Sequence, residues 1–487
     1  MAKHPFVGVF CYTKYMPKTF FFYDLETSGL NAREDRVMQF AGQRTDMNLQ
    51  PIGEPVNVLV ALNDDTIPIP EALLVTGITP QKTLDEGYSE ADFAKLLVEE
   101  WFTPDTIVVG FNNVRFDDEF IRHLLWRNFH DPYEWSWKEG RSRWDMLDVV
   151  RMTRALRPEG INWPVDDKGE PINRLELITK LNGIEHGNAH DALSDVTALI
   201  DVARLIHNKQ PQLFDYLLKV RDKKELQAFI NLDNKQPFVY TSGRYDKQHA
   251  KTTVAFPLTS APHGNVLVYD LRYDPTAVIG LTQDELKKRL FASWQERQED
   301  GFVSVPVKQL QYNRCPAVAP LGVLSQADGW QKIDLSQEIV EKHLQILLAH
   351  PEFAENIRSV FESREPLQKA ADPEAQLYDG FVADGDKIRI EAVRNADVAK
   401  LADFQPEFVD ERLPGLLVHY KARNFPRSLT ETERTEWEVW RAQHIERQLV
   451  QFGAALERVA KRQLTDDDKF VLDELRLWVE SIVPEEH

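Results

Sequence analysis

The chain is expected to be an α/β protein with a mixed sheet, continued by a smaller α+β unit and then by a helical region. Three observations predict this. Apolar runs of strand length alternate with helical patterns up to about residue 207, short strand candidates crowd the middle, and the last stretch carries long helical periodicity. At 487 residues with 43% hydrophobic content, the chain is long enough for substantial cores and for roughly three domains. The segments are drawn at residues 17 to 207, 208 to 362 and 363 to 487. Met16 opens MPKTFFFYDLET, which has the look of a natural start, so residues 1 to 16 are set aside as an N-terminal extension.

In order along the chain, TFFFYDL, QFAGQRTD, VNVLVAL and TIVVGFN read as the strands of the first unit. The helix FDDEFIRHLLWRNF carries Phe116, Phe120, Leu124 and Leu125 at helical spacing, and NAHDALSDVTALIDVARLI carries a stripe of Ala192, Val196, Leu199, Ile200 and Ala203. In the second unit FVYTSG, TTVAFPL, NVLVYDL and FVSVPVKQL are strand candidates beside the helical TQDELKKRLFAS. A charged, Pro-containing stretch from Glu362 to Glu374 reads as a linker. Beyond it, ETERTEWEVWRAQHIERQLVQFGAALERVAKRQL and DDDKFVLDELRLWVESIV read as helices.

Composition limits the function classes. Two cysteines, Cys11 and Cys315, cannot build a disulfide framework, which points to a reducing, cytoplasmic setting. Apolar runs fall short of a membrane span, and FVGVFCY lacks a cleavage site for a signal peptide. The net charge of -20 argues against a uniformly basic surface for nucleic acid. Its distribution softens the objection: residues 211 to 365 carry 19 basic and 20 acidic side chains, against 22 and 33 in residues 1 to 210. A strand-tracking enzyme needs only a local basic groove.

Five residues carry the chemistry. Asp24 and Glu26 lie two apart at the end of the first strand and so point to one side. Asp117 opens a helix after the strand TIVVG, where an acidic first turn is also simply favoured by the helix dipole. His190 and Asp195 are five apart, roughly 140° around an ideal helix, and share a face only if His190 lies at or before the first turn. Taken singly, each residue has an ordinary structural explanation. Carboxylates at three separated places are what a pair of hard divalent cations requires.

Together these pieces match the exonuclease signature of the DEDD superfamily, and the H-x4-D form of the last motif places the chain in its histidine subgroup. The stretches NNVRFDDE, SRWD, ALRPEGINWP, GIEHGNAHDA, QLFDYL, AQLYDGF and ARNFP further resemble the bacterial exodeoxyribonuclease I family, nearly end to end. That resemblance implies a ribonuclease H-like exonuclease domain, an SH3-like second domain and a helical C-terminal domain. It implies a 3' to 5' exonuclease for single-stranded DNA that releases 5'-mononucleotides in repair and recombination. Asp24, Glu26, Asp117 and Asp195 would hold two Mg2+ ions, with Mn2+ a possible substitute, and His190 would be the general base. Expected partners are single-stranded DNA and single-stranded DNA-binding protein, and the expected state is a monomer.

Substrate contacts are sought just beyond Asp117. Tyr133, Trp135 and Trp137, with Trp144 and Trp163, offer flat rings, of which half or more are expected in the core. Arg122, Arg143, Arg151, Arg157 and Arg174 offer phosphate partners, Arg174 standing out because it lies just ahead of the last motif. Glu26 is also expected to touch the substrate, and Arg244, Lys247, His249, Lys251 and Arg314 are candidates for the far wall of a channel. Two other readings stay open: an RNA-trimming exonuclease of the same superfamily, and a catalytically silent DNA-binding scaffold.

Overall fold

The first strand sets the architecture, because its two faces are both apolar and must both be covered. The computed structural model describes residues 18–185, 187, 191–365, 368–397 and 400–484, and the expected N-terminal extension and His190 lie outside these. β1 (Thr19–Thr27) lies at the centre of a sheet with β2 (Val37–Thr45), β3 (Val56–Leu59), β4 (Thr106–Gly110) and β5 (Ser142–Asp145), in the order β3-β2-β1-β4-β5. β1 runs antiparallel to β2 and parallel to β4, so the sheet is mixed, as the alternation of strands and helices predicts. Phe20 and Phe22 join one core with the buried stripe Ala192, Val196, Leu199, Ile200 and Ala203, while Phe21, Tyr23 and Leu25 join a second core with Phe120 and Leu124. Alternation along one strand thus divides the domain into two layers.

A second sheet, β10-β6-β7-β8-β9, is antiparallel throughout. Its strands are β6 (Phe238–Thr241), β7 (Thr252–Ala261), β8 (Asn265–Asp270), β9 (Val307–Leu310) and β10 (Ala317–Pro320). Two expectations are corrected here. FVSVPVKQL is strand only from Val307, since Pro306 cannot donate to a ladder, and AVAP forms an additional strand that pairs with β6. The cores of the first and second units are continuous: Trp144 and Phe214 belong to the same buried cluster as Val239 and Val268.

The C-terminal region is helical, with Leu413–Asn424, Glu431–Val459 and Asp466–Ile482 as its main elements. Both long helices start with a capping box, at Thr430 with Glu433 and at Thr465 with Asp468. Their apolar faces return to the first domain, Ile445, Leu475 and Trp478 packing with Met38, Leu62 and Leu73. The stretch from Glu362 to Glu374 ends inside the fold: Glu374 is 2% exposed. Arginines reaching from three sides explain why a carboxylate lies buried there. Among the described residues no helix is long and apolar enough to cross a membrane.

Candidate active site

The same alternation that buries Phe20 and Phe22 places Asp24 and Glu26 next on that face, where the apolar layer ends. The helix Ala192–Lys209 crosses β1 and β2 on this side and brings Asp195, in its first turn, over the two carboxylates. Ligand oxygens of Asp24, Glu26 and Asp195 lie within 4.8 Å of one another. Asp117 arrives from the neighbouring parallel strand: β4 ends at Gly110, a turn covers Asn113–Arg115, and Asp117 is the first residue of the helix Asp117–Arg127.

The electrostatics are those of crowded like charges. Burial raises the Asp24 carboxyl well above the usual range, and Asp117, Glu26 and Asp195 add to it. Glu26 is pushed up to about 8 by burial and by Asp195 and Asp117, and Asp117 to about 8 by burial and by Asp118. Among the described residues no cation lies within ion-pair distance of Asp24, Glu26 or Asp117. Such a cluster is unstable toward protonation unless something positive enters it. An all-oxygen donor set of this kind fits hard divalent cations.

Several supporting residues escape sequence reasoning. Asp118 is fully buried, accepts from the Tyr23 hydroxyl at 2.6 Å and from Asn113 Nδ2 at 3.2 Å, and pairs with Arg143. This anchors the helix start that carries Asp117. Asp145 accepts from the backbone N–H of Asn112 at 2.9 Å and so fixes the turn after β4; burial and Asp148 push its carboxyl up to about 7. Asp191 caps the helix that carries Asp195, accepting from Ser194 N–H at 3.2 Å, and is itself held by Gln39 Nε2 at 3.3 Å. The doubled Asp in FDDEF was the only available signal for Asp118. Gln39 becomes visible only through the register that sets it beside Glu26.

The expected substrate contacts fall into two groups. Arg174 and Trp137 are exposed; Arg174 caps the helix Leu175–Leu181 with its guanidinium against Glu176. Arg151 pairs with Asp148 at 2.6 Å beside Gly243. The others are engaged by protein: Arg143 by Asp118 and the Asn313 carbonyl, Arg157 by the carbonyls of Leu156 and Val323 and by Gln326, and Arg122 by Glu119 and Tyr378 with its guanidinium over Tyr133. Trp135 and Trp144 are core, and Trp163 packs against it. On the far wall, Lys247 pairs with Asp166 and Glu170, His249 with Asp334, and Arg314 lies 3.6 Å from Glu119, while Lys251 donates to the Gly243 carbonyl. The Lys247 and Arg314 pairs tie the second domain to the first.

The fold and the site define an exonuclease of the ribonuclease H-like class, a type of domain that uses divalent metals, and residues 21–203 match the family model described as "Exonuclease". Residues 221–363 match the "Exonuclease I SH3-like domain" and residues 371–482 the "Exonuclease I C-terminal domain". Exodeoxyribonuclease I of Haemophilus influenzae is 39% identical over 456 residues, covering 93% of this chain and 96% of that protein. The crystal structure of Escherichia coli exonuclease I with a dA16 oligonucleotide superposes with a TM-score of 0.90 at 38% identity, covering 96% of this chain and 100% of that one. The moderately thermophilic exonuclease I of Methylocaldum szegediense gives 0.91 at 39%, with the same coverage. The chain belongs to the exodeoxyribonuclease I family.

Proposed function

We propose that this enzyme degrades single-stranded DNA from its 3' end with Mg2+, releasing 5'-mononucleotides. The observation that carries the reading is the convergence of Asp24, Glu26 and Asp195 within ligand distance, with Asp117 beside them and, among the described residues, no cation within ion-pair distance of Asp24, Glu26 or Asp117. Family membership supplies the substrate class, since relatives were solved with single-stranded oligonucleotides, one of them in a zinc-bound form. Asp24, Glu26, Asp117 and Asp195 would hold the metal ions. When bound, divalent cations would acidify the attacking water and stabilise the leaving oxygen of an in-line displacement.

The chain's own groups do the rest. The buried Tyr23–Asp118–Arg143 cluster holds the start of the Asp117 helix still, so that Asp117 is presented without rearrangement. His190, outside the described residues, precedes the helix N-cap at Asp191 and would take a proton from the attacking water. Exposed Arg174 would clamp a phosphate, and exposed Trp137 would stack on a base. Arg122, Arg151, Arg157 and Tyr133 belong to the proposed binding surface through the walls they brace. The proposed domain boundaries remain at 207/208 and 362/363, with residues 1 to 16 an extension, the state a monomer and the setting the cytoplasm in DNA repair. Single-stranded DNA-binding protein is the proposed partner, a relative having been solved under the description "SSB/Exonuclease I".

A digest of 3'-labelled and 5'-labelled single-stranded DNA, duplex DNA and RNA, with Mg2+ or EDTA, tests the reading. Stepwise loss from the 3' end of single-stranded DNA alone, abolished by EDTA, is expected. Preferential trimming of RNA would place the chain with the RNA-trimming branch, and inertness in Mg2+ would make it a binding scaffold.

A further inference from the structure

The helix Asp117–Arg127 presents one carboxylate of the site as its first residue, and the remainder of its first turn is held by both of the other domains. From the second domain comes the loop between β9 and β10, at Asn313 to Cys315. The Asn313 carbonyl accepts from Arg143 Nη2 at 2.6 Å, the Cys315 thiol donates to the Arg143 carbonyl at 3.3 Å, and Arg143 pairs in turn with buried Asp118. Between them Arg314 lies 3.6 Å from Glu119. From the C-terminal region comes the segment Pro373–Tyr378, which lies along the same helix. The Pro373 carbonyl accepts from Trp126 Nε1 at 2.9 Å, and the Tyr378 ring packs edge-on against His123.

The two grips meet on one side chain. Glu119 Oε2 accepts from the Tyr378 hydroxyl, while its Oε1 accepts from Arg122 at 3.0 Å and faces Arg314. Arg122 also donates to the Tyr378 oxygen at 3.3 Å, which closes the group. An acidic side chain in a first turn is favoured by the helix dipole without any of these partners, so the dipole does not account for them. Glu119 shares its helical turn with Asp117, and a turn of helix moves as a unit. A misplacement of about 1 Å at a reacting centre can cost 10²-fold in rate, so what holds Glu119 bears on the chemistry.

We propose that Glu119 is a positioning residue for the hydrolysis: it fastens the turn that carries Asp117 to Arg314 of the second domain and to Tyr378 of the C-terminal region. The carboxylate site then takes its final geometry from all three domains. The inference rests on the exonuclease reading of that site. Glu119 acts through Asp117 and touches neither metal nor substrate. The Tyr378 bond carries more of the effect than the Arg314 pair, because a charge-assisted hydrogen bond outweighs an ion pair open to solvent.

The test grades these contacts one at a time. Tyr378→Phe removes a hydroxyl and keeps the ring, Arg314→Ala removes a guanidinium, and Glu119→Gln keeps an acceptor that Glu119→Ala lacks. Glu119→Ala should lower kcat by about tenfold, the scale of a shift well under 1 Å, with KM for single-stranded DNA kept within about twofold. Tyr378→Phe should show a smaller loss of the same kind and Arg314→Ala the smallest, while Glu119→Gln should recover most of kcat. Adding Tyr378→Phe to Glu119→Ala should cost nothing further, because both remove one contact. Two readouts are independent of turnover: Mg2+ titrated by calorimetry should bind Glu119→Ala more weakly, and in EDTA its backbone amides from Asn112 to Phe120 should exchange hydrogen faster. Wild-type kcat, Mg2+ affinity and exchange in a folded Glu119→Ala protein would overturn the proposal. So would a raised KM at unchanged kcat, the mark of a substrate contact, or a lowered Tm alone, the mark of a residue that only joins domains. Wild-type protein without Mg2+-dependent hydrolysis would instead refute the exonuclease reading, and calorimetry and exchange would then decide the role of Glu119.

Discussion

Among the described residues, two of the groups of buried charge make an instructive contrast. Between the first domain and the C-terminal helices, Glu374 accepts from Arg36 at 3.1 Å, Arg423 at 2.5 Å and His419 at 2.7 Å, while Asp65 pairs with Arg36 and with Arg423 at 2.7 Å. Burial alone would raise the Glu374 carboxyl, yet Arg423 and Arg36 outweigh it and hold it well below the usual range. Asp24, Glu26 and Asp117 lie in a comparable setting with no such partners among the described residues, and each is raised. Matched charges join domains, and mismatched ones wait for a ligand.

The sharpest break of this comparison is Asp24→Asn. Side-chain volume is kept and one charge leaves a crowded site, so thermal stability of the metal-free protein should hold or rise. Turnover should fall by roughly three orders of magnitude or more, since metal-borne charge stabilisation is worth several kcal/mol at about 1.4 kcal/mol per decade. A folded variant that cleaves at a near wild-type rate would remove Asp24 from the metal site.

His190→Ala comes next, with an expected loss on the order of 10² to 10⁴ in turnover at saturating Mg2+ and substrate. The neutral imidazole is the active form of a base, so wild-type kcat should rise with pH through its pKa and level off, and the variant should lack that limb. An unchanged pH profile with lowered thermal stability would make His190 a packing residue.

Glu374→Gln should behave oppositely to Asp24→Asn, leaving Arg36 and Arg423 to share Asp65 alone and lowering stability by about 3 to 5 kcal/mol in chemical denaturation. Activity below the unfolding transition should survive. Glu374, Asp65 and Glu90 have lowered folded pKa values, so their contribution is complete above the unfolded values near ~4 and is lost as pH falls toward the folded ones. Burial also lowers His123 to about 3 and His444 to about 4. These histidines bind fewer protons folded than unfolded, so their contribution falls as pH drops below ~6.5, while the raised carboxyls of Asp24, Glu26, Asp117 and Asp145 act in the opposite sense above ~4. Acid unfolding followed by circular dichroism should therefore be steepest in the carboxylate range below ~4. A profile that stays flat below pH ~4 would contradict this.

The smallest effect is expected from Arg174→Ala. Among the described residues its exposed guanidinium pairs with Glu176 alone, so the fold should be indifferent to its loss. The log-log salt slope of single-strand binding should become shallower by about 0.7, one neutralised phosphate. Unchanged affinity and slope would make Arg174 a helix-start residue alone.

The readable parts of this chain are those set by local periodicity. Strand alternation at Thr19 to Thr27 places Asp24 and Glu26 on one face, and helical spacing from Ala192 to Ala203 yields the stripe that packs beneath them. Asp118, Asp191 and Gln39 were not legible, because their roles depend on strand register and on where a helix begins. Glu374 is hidden from the sequence for a different reason. A charged residue in a Pro-containing stretch looks solvated, and its partner Arg36 stands 338 positions away.

The central claim is that the unmatched carboxylates form a divalent-metal centre, and calorimetric titration of Mg2+ into the protein tests it most directly. With Glu26 and Asp117 raised to about 8, metal must displace protons at pH 7, because metal ligands bind deprotonated. Wild-type protein should bind with proton release, seen as a heat that changes with the ionisation enthalpy of the buffer, and Asp24→Asn should lose that binding. Binding that is identical in wild type and Asp24→Asn, with no buffer dependence, would contradict the account.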